Sequence, residues 1–261
     1  MGLSYNSEHD ELYIADRKNH VVRSMRLGDN SLDLRDVYRG TAHDRTPFVY
    51  SVCYMGDSGT LLVCSGEVWE LRSDQWLVAF SRVENEWRET HRVLTDGMGW
   101  ICCPLSDSRV LVGECDSMYM ELFRVQSGPC IARISRIHVP EEYKRFSATN
   151  GSDTLVAMSY MVDQSVRVYR MCDGDRLEEL ANIRLMSPCA LLWLDDHFLI
   201  AAQDLYPNAI IELEFSGTQL KHCDKLLDCK VERWCEVKNG FAIVECQSGD
   251  ILQYTNKLNK E

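Results

Sequence analysis

Cysteine is the residue type in this chain with the widest range of possible chemistry. The 261 residues include 12 cysteines and 7 histidines. Two groups have a metal-like composition, namely Cys102, Cys103 and Cys115, and His222, Cys223 and Cys229. Neither group contains the C-x-x-C spacing that presents two thiolates to one zinc ion. Most cysteines instead stand among Val, Leu, Ile and Trp, so we predict buried, reduced thiols that pack as small apolar side chains.

The common catalytic motifs are absent from the sequence. It has no glycine-rich phosphate loop, no Gly-x-Ser-x-Gly elbow and no His-Glu-x-x-His pair. Phosphoryl transfer, serine hydrolysis and helical zinc chemistry therefore lack their signatures. We predict a protein that is not an enzyme and needs no cofactor.

Tryptophan and arginine give the best candidates for a contact site. Aromatic and arginine side chains dominate the binding energy of protein interfaces. Trp69, Arg72 and Trp76 stand in or beside a long polar link, and we predict that they form a contact loop. The alternative is that the tryptophans pack in the core, where buried aromatic side chains are equally valuable.

Net charge limits the class of partner. The chain carries 28 Lys and Arg against 40 Asp and Glu, a formal charge of −12. A phosphate backbone or an anionic lipid surface would be repelled, so we expect a protein or peptide partner and neither nucleic acid nor membrane. No run approaches the ~18 apolar residues of a membrane-spanning helix. The start of the chain lacks the pattern of a secretory signal, and we expect a reducing cytoplasmic or nuclear location.

The elements that would position these residues show an internal repeat. An apolar segment that ends in a small residue recurs at intervals of 43 to 49 residues, and its last members are Ala15, Cys64, Gly113, Ala157, Ala201 and Val244. A polar turn and an earlier apolar strand precede most segments, which indicates hairpins. An alternating strand and then a more polar strand follow. Four strands of rising polarity are typical of a β-propeller blade.

The repeat predicts an all-β, six-bladed β-propeller with four-stranded antiparallel blades. The units lie near residues 1–43, 48–94, 97–140, 145–186, 187–229 and 231–261, and together they form a single domain over 1–261. Residues 176–185 and 223–231 also fit amphipathic helices by spacing. Helices between strands would require a parallel sheet with longer connections, so we favour strands.

One stretch resembles a known repeat family. The segment 10–22, Asp-Glu-Leu-Tyr-Ile-Ala-Asp-Arg-Lys-Asn-His-Val-Val, is similar to the NHL repeat, with an apolar strand, Ala-Asp, a polar turn and a valine-rich strand. The other units keep only the strand pattern, and the WD-repeat signature is absent. The resemblance to NHL and WD-repeat-like families implies a protein-interaction scaffold or substrate-recognition propeller. RNA binding is disfavoured because residues 1–45 hold seven basic and eight acidic side chains.

A second resemblance supplies the alternative function. Six-bladed lactone hydrolases hold one divalent metal in a central channel through carboxylates and Asn amides. Hard cations need such oxygen ligands. The matching acceptors in this chain would be Asn6, Asn150 and Glu236. Asn6 and Asn150 also stand in predicted turns, where Asn commonly bonds the backbone, and this turn role is the interpretation that we prefer.

The sixth unit is one strand shorter than the others. Its predicted strands run over 231–237, 241–245 and 251–254, after which only seven residues remain. We expect a monomeric domain that could form part of a longer chain. Its last blade would be completed by an upstream strand or by a frayed strand over 255–260. Lys257 and Lys260 would suit such an edge because charge discourages edge-to-edge pairing.

Overall fold

The chain folds into short antiparallel strands, as its alternation of apolar and polar residues predicts. A computed structural model describes residues 2–27, 34–39, 48–66, 74–96, 101–105, 107–113, 117–126, 130–139, 144–149, 155–173, 175–194, 196–203, 209–227, 231–237, 240–245 and 251–255. The chain divides into two compact units. The first comprises Met1–Glu114 and Tyr119–Arg136, and the second comprises Cys115–Met118 and Ile137–Glu261.

The first unit contains three four-stranded sheets in which sequential strands are neighbours. Sheet 1 consists of β1 (Gly2–Asn6), β2 (Glu11–Asp16), β3 (Val21–Arg26) and β4 (Arg35–Arg39). Sheet 2 consists of β5 (Phe48–Met55), β6 (Thr60–Gly66), β7 (Gln75–Val83) and β8 (Glu86–Thr95). Sheet 3 consists of β9 (Ile101–Pro104), β10 (Arg109–Gly113), β11 (Tyr119–Gln126) and β12 (Cys130–His138), whose last two residues belong to the second unit.

The second unit repeats this arrangement in three further sheets. Sheet 4 consists of β13 (Lys144–Thr149), β14 (Leu155–Tyr160), β15 (Ser165–Cys172) and β16 (Arg176–Arg184). Sheet 5 consists of β17 (Pro188–Trp193), β18 (Phe198–Gln203), β19 (Ala209–Phe215) and β20 (Leu220–Leu227). Sheet 6 consists of β21 (Val231–Val237), β22 (Gly240–Glu245) and β23 (Ile251–Thr255).

The sheets make the chain an all-β propeller with four-stranded antiparallel blades. Five blades are complete, and sheet 6 has three strands within the described ranges, so the expected six four-stranded blades are not confirmed. The helical alternative is wrong, because residues 176–184 form β16 and residues 220–227 form β20. In the described part of the chain, helix is limited to two three-residue 3₁₀ turns, Arg17–Asn19 and Gly56–Ser58.

Burial falls from the second strand of a sheet to the fourth. Every residue of β6 is buried, whereas β8 in the same sheet is mostly exposed. The second strand pairs on both edges and is packed on both faces, which accounts for its continuous apolar run. The fourth strand has one free edge and alternates between core and solvent.

The cores of the described residues lie between neighbouring sheets. In the first unit, one cluster joins sheets 1 and 2 through Tyr13, Val22, Val63 and Phe80, and another joins sheets 2 and 3. In the second unit, a cluster joins sheets 4 and 5, and within sheet 5 the Trp193 and Phe215 rings meet edge-on at 5.9 Å. Burying apolar area at ~25 cal/mol per Å² is the main stabilising contribution of such contacts.

Candidate interaction surfaces

The predicted contact loop is only partly described by the structure. Trp69 and Arg72 lie outside the described residues. Trp76 stands on β7, half-buried, and packs against the core cluster between sheets 1 and 2. The Arg92 guanidinium lies 5.6 Å from its ring centre. Trp76 therefore has the packing role that the sequence offered as the alternative, and the contact role of this loop stays a prediction.

Of the three oxygen ligands in the metal-enzyme alternative, the structure describes the side chain of Asn6. Asn6 ends β1 and is 1% exposed, and its Oδ1 accepts a hydrogen bond from the Glu8 amide at 3.0 Å. This is the turn role that the sequence favoured. Asn150 lies outside the described residues, and Glu236 stands on β21, which is described by its backbone. The described residues contain no group of three or more His, Cys, Asp and Glu that could hold a metal ion.

The described cysteines range from buried to exposed, with Cys102 and Cys172 intermediate. Cys53, Cys64, Cys103 and Cys189 are buried thiols outside any disulfide, as predicted. A hydrogen bond with Cys102, together with burial, raises the pKa of the Cys53 thiol well above its usual value. Cys130 and Cys223 are exposed, which corrects the prediction for these two. They stand on the outer strands β12 and β20, on which exposed residues are common.

A buried polar group links sheets 1 and 2. The Tyr13 hydroxyl donates to Glu11 Oε2 at 2.9 Å, and Arg82 Nη1 lies 3.2 Å from the same oxygen. The Tyr13 ring stacks on Tyr54 and meets Trp87 edge-on. Burial raises the pKa of Tyr13, so its hydroxyl remains a proton donor. The arrangement fixes two sheets to each other and leaves no activated nucleophile, so we assign it a structural role.

An exposed apolar patch lies at one end of sheet 4. It consists of Met161 and Val162, in the turn between β14 and β15, and Met186, just after β16; they are 42%, 72% and 55% exposed. The Leu185 amide donates to the Gln164 carbonyl at 2.8 Å, which brings the two segments together. Two apolar residues in a turn are the sequence signal that could have revealed the patch, since turns favour polar types.

A basic and aromatic group lies at the corresponding end of sheet 1. The 3₁₀ turn Arg17–Asn19 joins β2 to β3, and its cap His20 adopts a left-handed conformation with φ of 56°. The Arg17 guanidinium lies 5.7 Å from the Phe48 ring centre and 5.5 Å from that of Tyr50. The His20 ring lies 4.5 Å from Phe48. The sequence identified His20 only as a turn residue and missed this group, because Phe48 and Tyr50 are distant in the chain.

Comparisons with known proteins support the fold. No family model matches the chain, and no curated protein matches its sequence. Solved structures do match it. A protein from Lactobacillus plantarum aligns with a TM-score of 0.71 and 12% identity, over 98% of this chain and 80% of that one.

Two further structures are similar to the same extent. A chain of a mitotic checkpoint complex aligns with a TM-score of 0.66 and 11% identity, over 96% of this chain and 87% of its own. A functionally unknown protein from Desulfotomaculum acetoxidans aligns with a TM-score of 0.69 and 9% identity, over 97% and 81%. At these identities the likeness shows the propeller fold alone.

None of the helical turns in the described part of the chain has the length and apolar character needed to cross a membrane.

Proposed function

We propose that this protein is a non-catalytic β-propeller that binds a protein partner, with six blades of which the first is NHL-like. The observation that carries the proposal is the exposed apolar patch of Met161, Val162 and Met186. Apolar groups exposed together are favoured at protein contacts, because covering them removes apolar area from water. Methionine side chains are flexible and polarisable, so such a patch adapts to its partner.

The position of the patch also supports an interaction role. Its residues stand in turns, whereas the strands behind them are well packed: Tyr160 and Val166 are fully buried. Loops held by a rigid scaffold commonly carry binding residues. The underlying turn is held by Arg167, which pairs with Asp163 and lies 4.7 Å from the Tyr160 ring centre. A patch held in one geometry loses less conformational entropy on binding.

Site-specific photo-crosslinking in cells tests this function. A photoreactive residue is placed at position 162 and, as the matched control, at position 83. Val83 is an exposed valine, 39% accessible, at a hairpin of the first unit. We expect a discrete protein adduct from position 162 that is absent from position 83. Val162→Asp should remove the adduct formed from a photoreactive residue at position 186.

Two results would contradict the proposal. Equal labelling from positions 162 and 83 would show that the patch has no preferred partner. Absence of any adduct from 162 and 186, with the variant protein folded by circular dichroism, would show that the patch is not an interaction surface.

A further inference from the structure

Sheet 1 separates its charges between its two ends, although the sequence of this region is close to neutral. Among the described residues, the end that carries the Arg17–Asn19 turn holds Arg17, Lys18, Arg23 and Arg39 against Asp16 and Asp36, a net charge of +2. The described residues of the opposite end are Arg26 and Arg35 against Glu8, Asp10 and Glu11, a net charge of −1. The antiparallel register produces this separation, since it places residues far apart in sequence side by side.

The two acidic residues at the positive end are already engaged within sheet 1. Asp16 Oδ1 accepts the Asn19 amide at 3.2 Å, and its Oδ2 accepts the Asn19 side chain at 2.7 Å. Asp36 Oδ2 lies 2.6 Å from Arg39 Nη2. These carboxylates hold the turn and the outer strand, and the exposed Lys18 stands next to Arg17 at the tip of the turn.

Aromatic rings hold the arginine of this turn in place. The Arg17 guanidinium faces both Phe48 and Tyr50, whose rings stack with centres 6.3 Å apart. A guanidinium over an aromatic ring gains about 0.5–1 kcal/mol at an exposed site, or more where water is excluded. An arginine restrained in this way is prepared to bind a carboxylate through two parallel N–H groups, because less entropy is lost on binding.

We propose that an acidic peptide segment of a protein partner binds to a surface formed by Arg17, Lys18, His20, Arg39 and Phe48. We name it the Arg17 surface. This inference rests on the proposed role as a protein-binding scaffold and adds a second surface, in the other unit, with a defined chemistry. Charge complementarity selects the occupant: a local charge of +2 suits a few Asp or Glu side chains. A long nucleic acid would also lie over surface outside this group, and its phosphates would be repelled by the total charge of −12.

Fluorescence polarisation with a labelled hexaglutamate peptide tests the proposal on the full chain. We expect saturable binding that weakens as salt is raised, because exposed charges are screened beyond ~10 Å at moderate ionic strength. A hexaglutamine peptide, of the same length without charge, should not bind. Labelled oligouridylate serves as the nucleic-acid probe, and tighter binding of this probe than of hexaglutamate would overturn the choice of partner.

Charge reversal identifies the surface. The double variant Arg17→Glu with Lys18→Glu should weaken hexaglutamate binding at least tenfold. The control is Arg88→Glu with Arg124→Glu, which changes the net charge by the same amount at exposed positions of the same unit. This control should keep the affinity for hexaglutamate within about twofold of the natural chain. Lys18→Glu alone tests the surface without disturbing the rings, and it should also weaken binding. Arg17→Lys should bind more weakly than the natural chain but more tightly than Arg17→Ala, since a single ammonium cannot form the paired hydrogen bonds.

The outcomes distinguish this inference from the proposed function. Equal loss in both double variants, with unchanged melting temperatures, would show a general charge effect and overturn the Arg17 surface. Absence of hexaglutamate binding together with crosslinks from position 162 would overturn the inference and leave the proposed function standing. Hexaglutamate binding without crosslinks from position 162 would support the Arg17 surface and overturn the role of the apolar patch in the proposed function.

Discussion

At the scale of single residues, Glu121 is the clearest example of a group whose behaviour depends on burial. It stands on β11 with 6% of its surface exposed. One oxygen accepts the Asp96 amide at 2.9 Å, and the other lies 2.8 Å from Arg133 Nη2. Burial raises the pKa of Glu121 despite these two favourable contacts. The folded chain therefore holds this proton more tightly than the unfolded chain does.

This shift predicts how Glu121→Gln changes stability with pH. Glutamine keeps an acceptor for the Asp96 amide and removes the buried charge. The relevant pH range lies between the pKa of Glu121 in the unfolded chain and its higher pKa in the folded chain. In this range the natural chain loses stability as pH rises, because the unfolded chain releases the Glu121 proton and the folded chain retains it. We expect Glu121→Gln to be more stable than the natural chain at pH 7, with the difference vanishing towards pH 4.

Chemical unfolding at a series of pH values measures this difference. Glu178→Gln, at a carboxylate that is 58% exposed, is the matched control for the same substitution at the surface and should change the stability by less than about 0.5 kcal/mol. A stability difference that grows on acidification would contradict the prediction.

At the scale of elements, the Glu11 carboxylate connects β2 to the hairpin of β7 and β8. Arg82 is the ion-pair partner of Glu11, and its guanidinium lies 5.9 Å from the Trp87 ring centre. The pair is separated by 71 residues in sequence, so it forms only when sheets 1 and 2 pack. Removing one member of a buried pair costs more than the pair itself contributes, since the remaining charge is left without a partner.

Arg82→Met should therefore destabilise the chain, by about 1–3 kcal/mol, because among the described side chains it leaves the buried Glu11 with the Tyr13 hydroxyl alone. Adding Glu11→Gln to Arg82→Met should recover part of this loss. Equilibrium unfolding of the two single variants and the double variant measures the coupling.

Arg88→Met is the control for loss of a charge on the same hairpin. Arg88 and its partner Glu86 are both exposed, so this change should cost less than about 0.5 kcal/mol. A cost for Arg82→Met as small as that of Arg88→Met would show that the Glu11 pair does not hold the sheets together.

At the scale of the whole molecule, the question is whether the chain acts by binding alone or with a metal ion. The fold does not decide this, because propellers support both kinds of activity. Among the candidate ligands, Asn6 already bonds the Glu8 amide. We therefore expect the purified protein to contain far less than one divalent ion per chain.

Elemental analysis combined with thermal unfolding tests this expectation. A tight ion stabilises the folded state by mass action, by about 2.7 kcal/mol at one hundred times its dissociation constant. Dialysis against a chelator should leave the melting temperature unchanged, and added calcium or zinc should not raise it. One bound ion per chain, with a lower melting temperature after chelation, would favour the lactone-hydrolase-like alternative.

The sequence alone determined the strands and their order. The recurring segments ending at Ala15 and Cys64 form β2 and β6, and the more polar runs at 87–93 and 177–183 lie within β8 and β16. These features follow from local alternation and turn chemistry, which act over a few residues. The packing of Trp76 and the turn role of Asn6 were also among the interpretations that the sequence allowed.

Only the tertiary structure decided which residues meet. The Arg17 surface needs β5 beside the β2–β3 turn, the apolar patch needs the Gln164–Leu185 hydrogen bond, and the Glu11–Arg82 pair needs two packed sheets. Burial likewise separated Cys53 from Cys130, although both stand in strands with apolar neighbours. Such contacts depend on register and on the packing of sheets distant in sequence, and local patterns carry no information about distance in space.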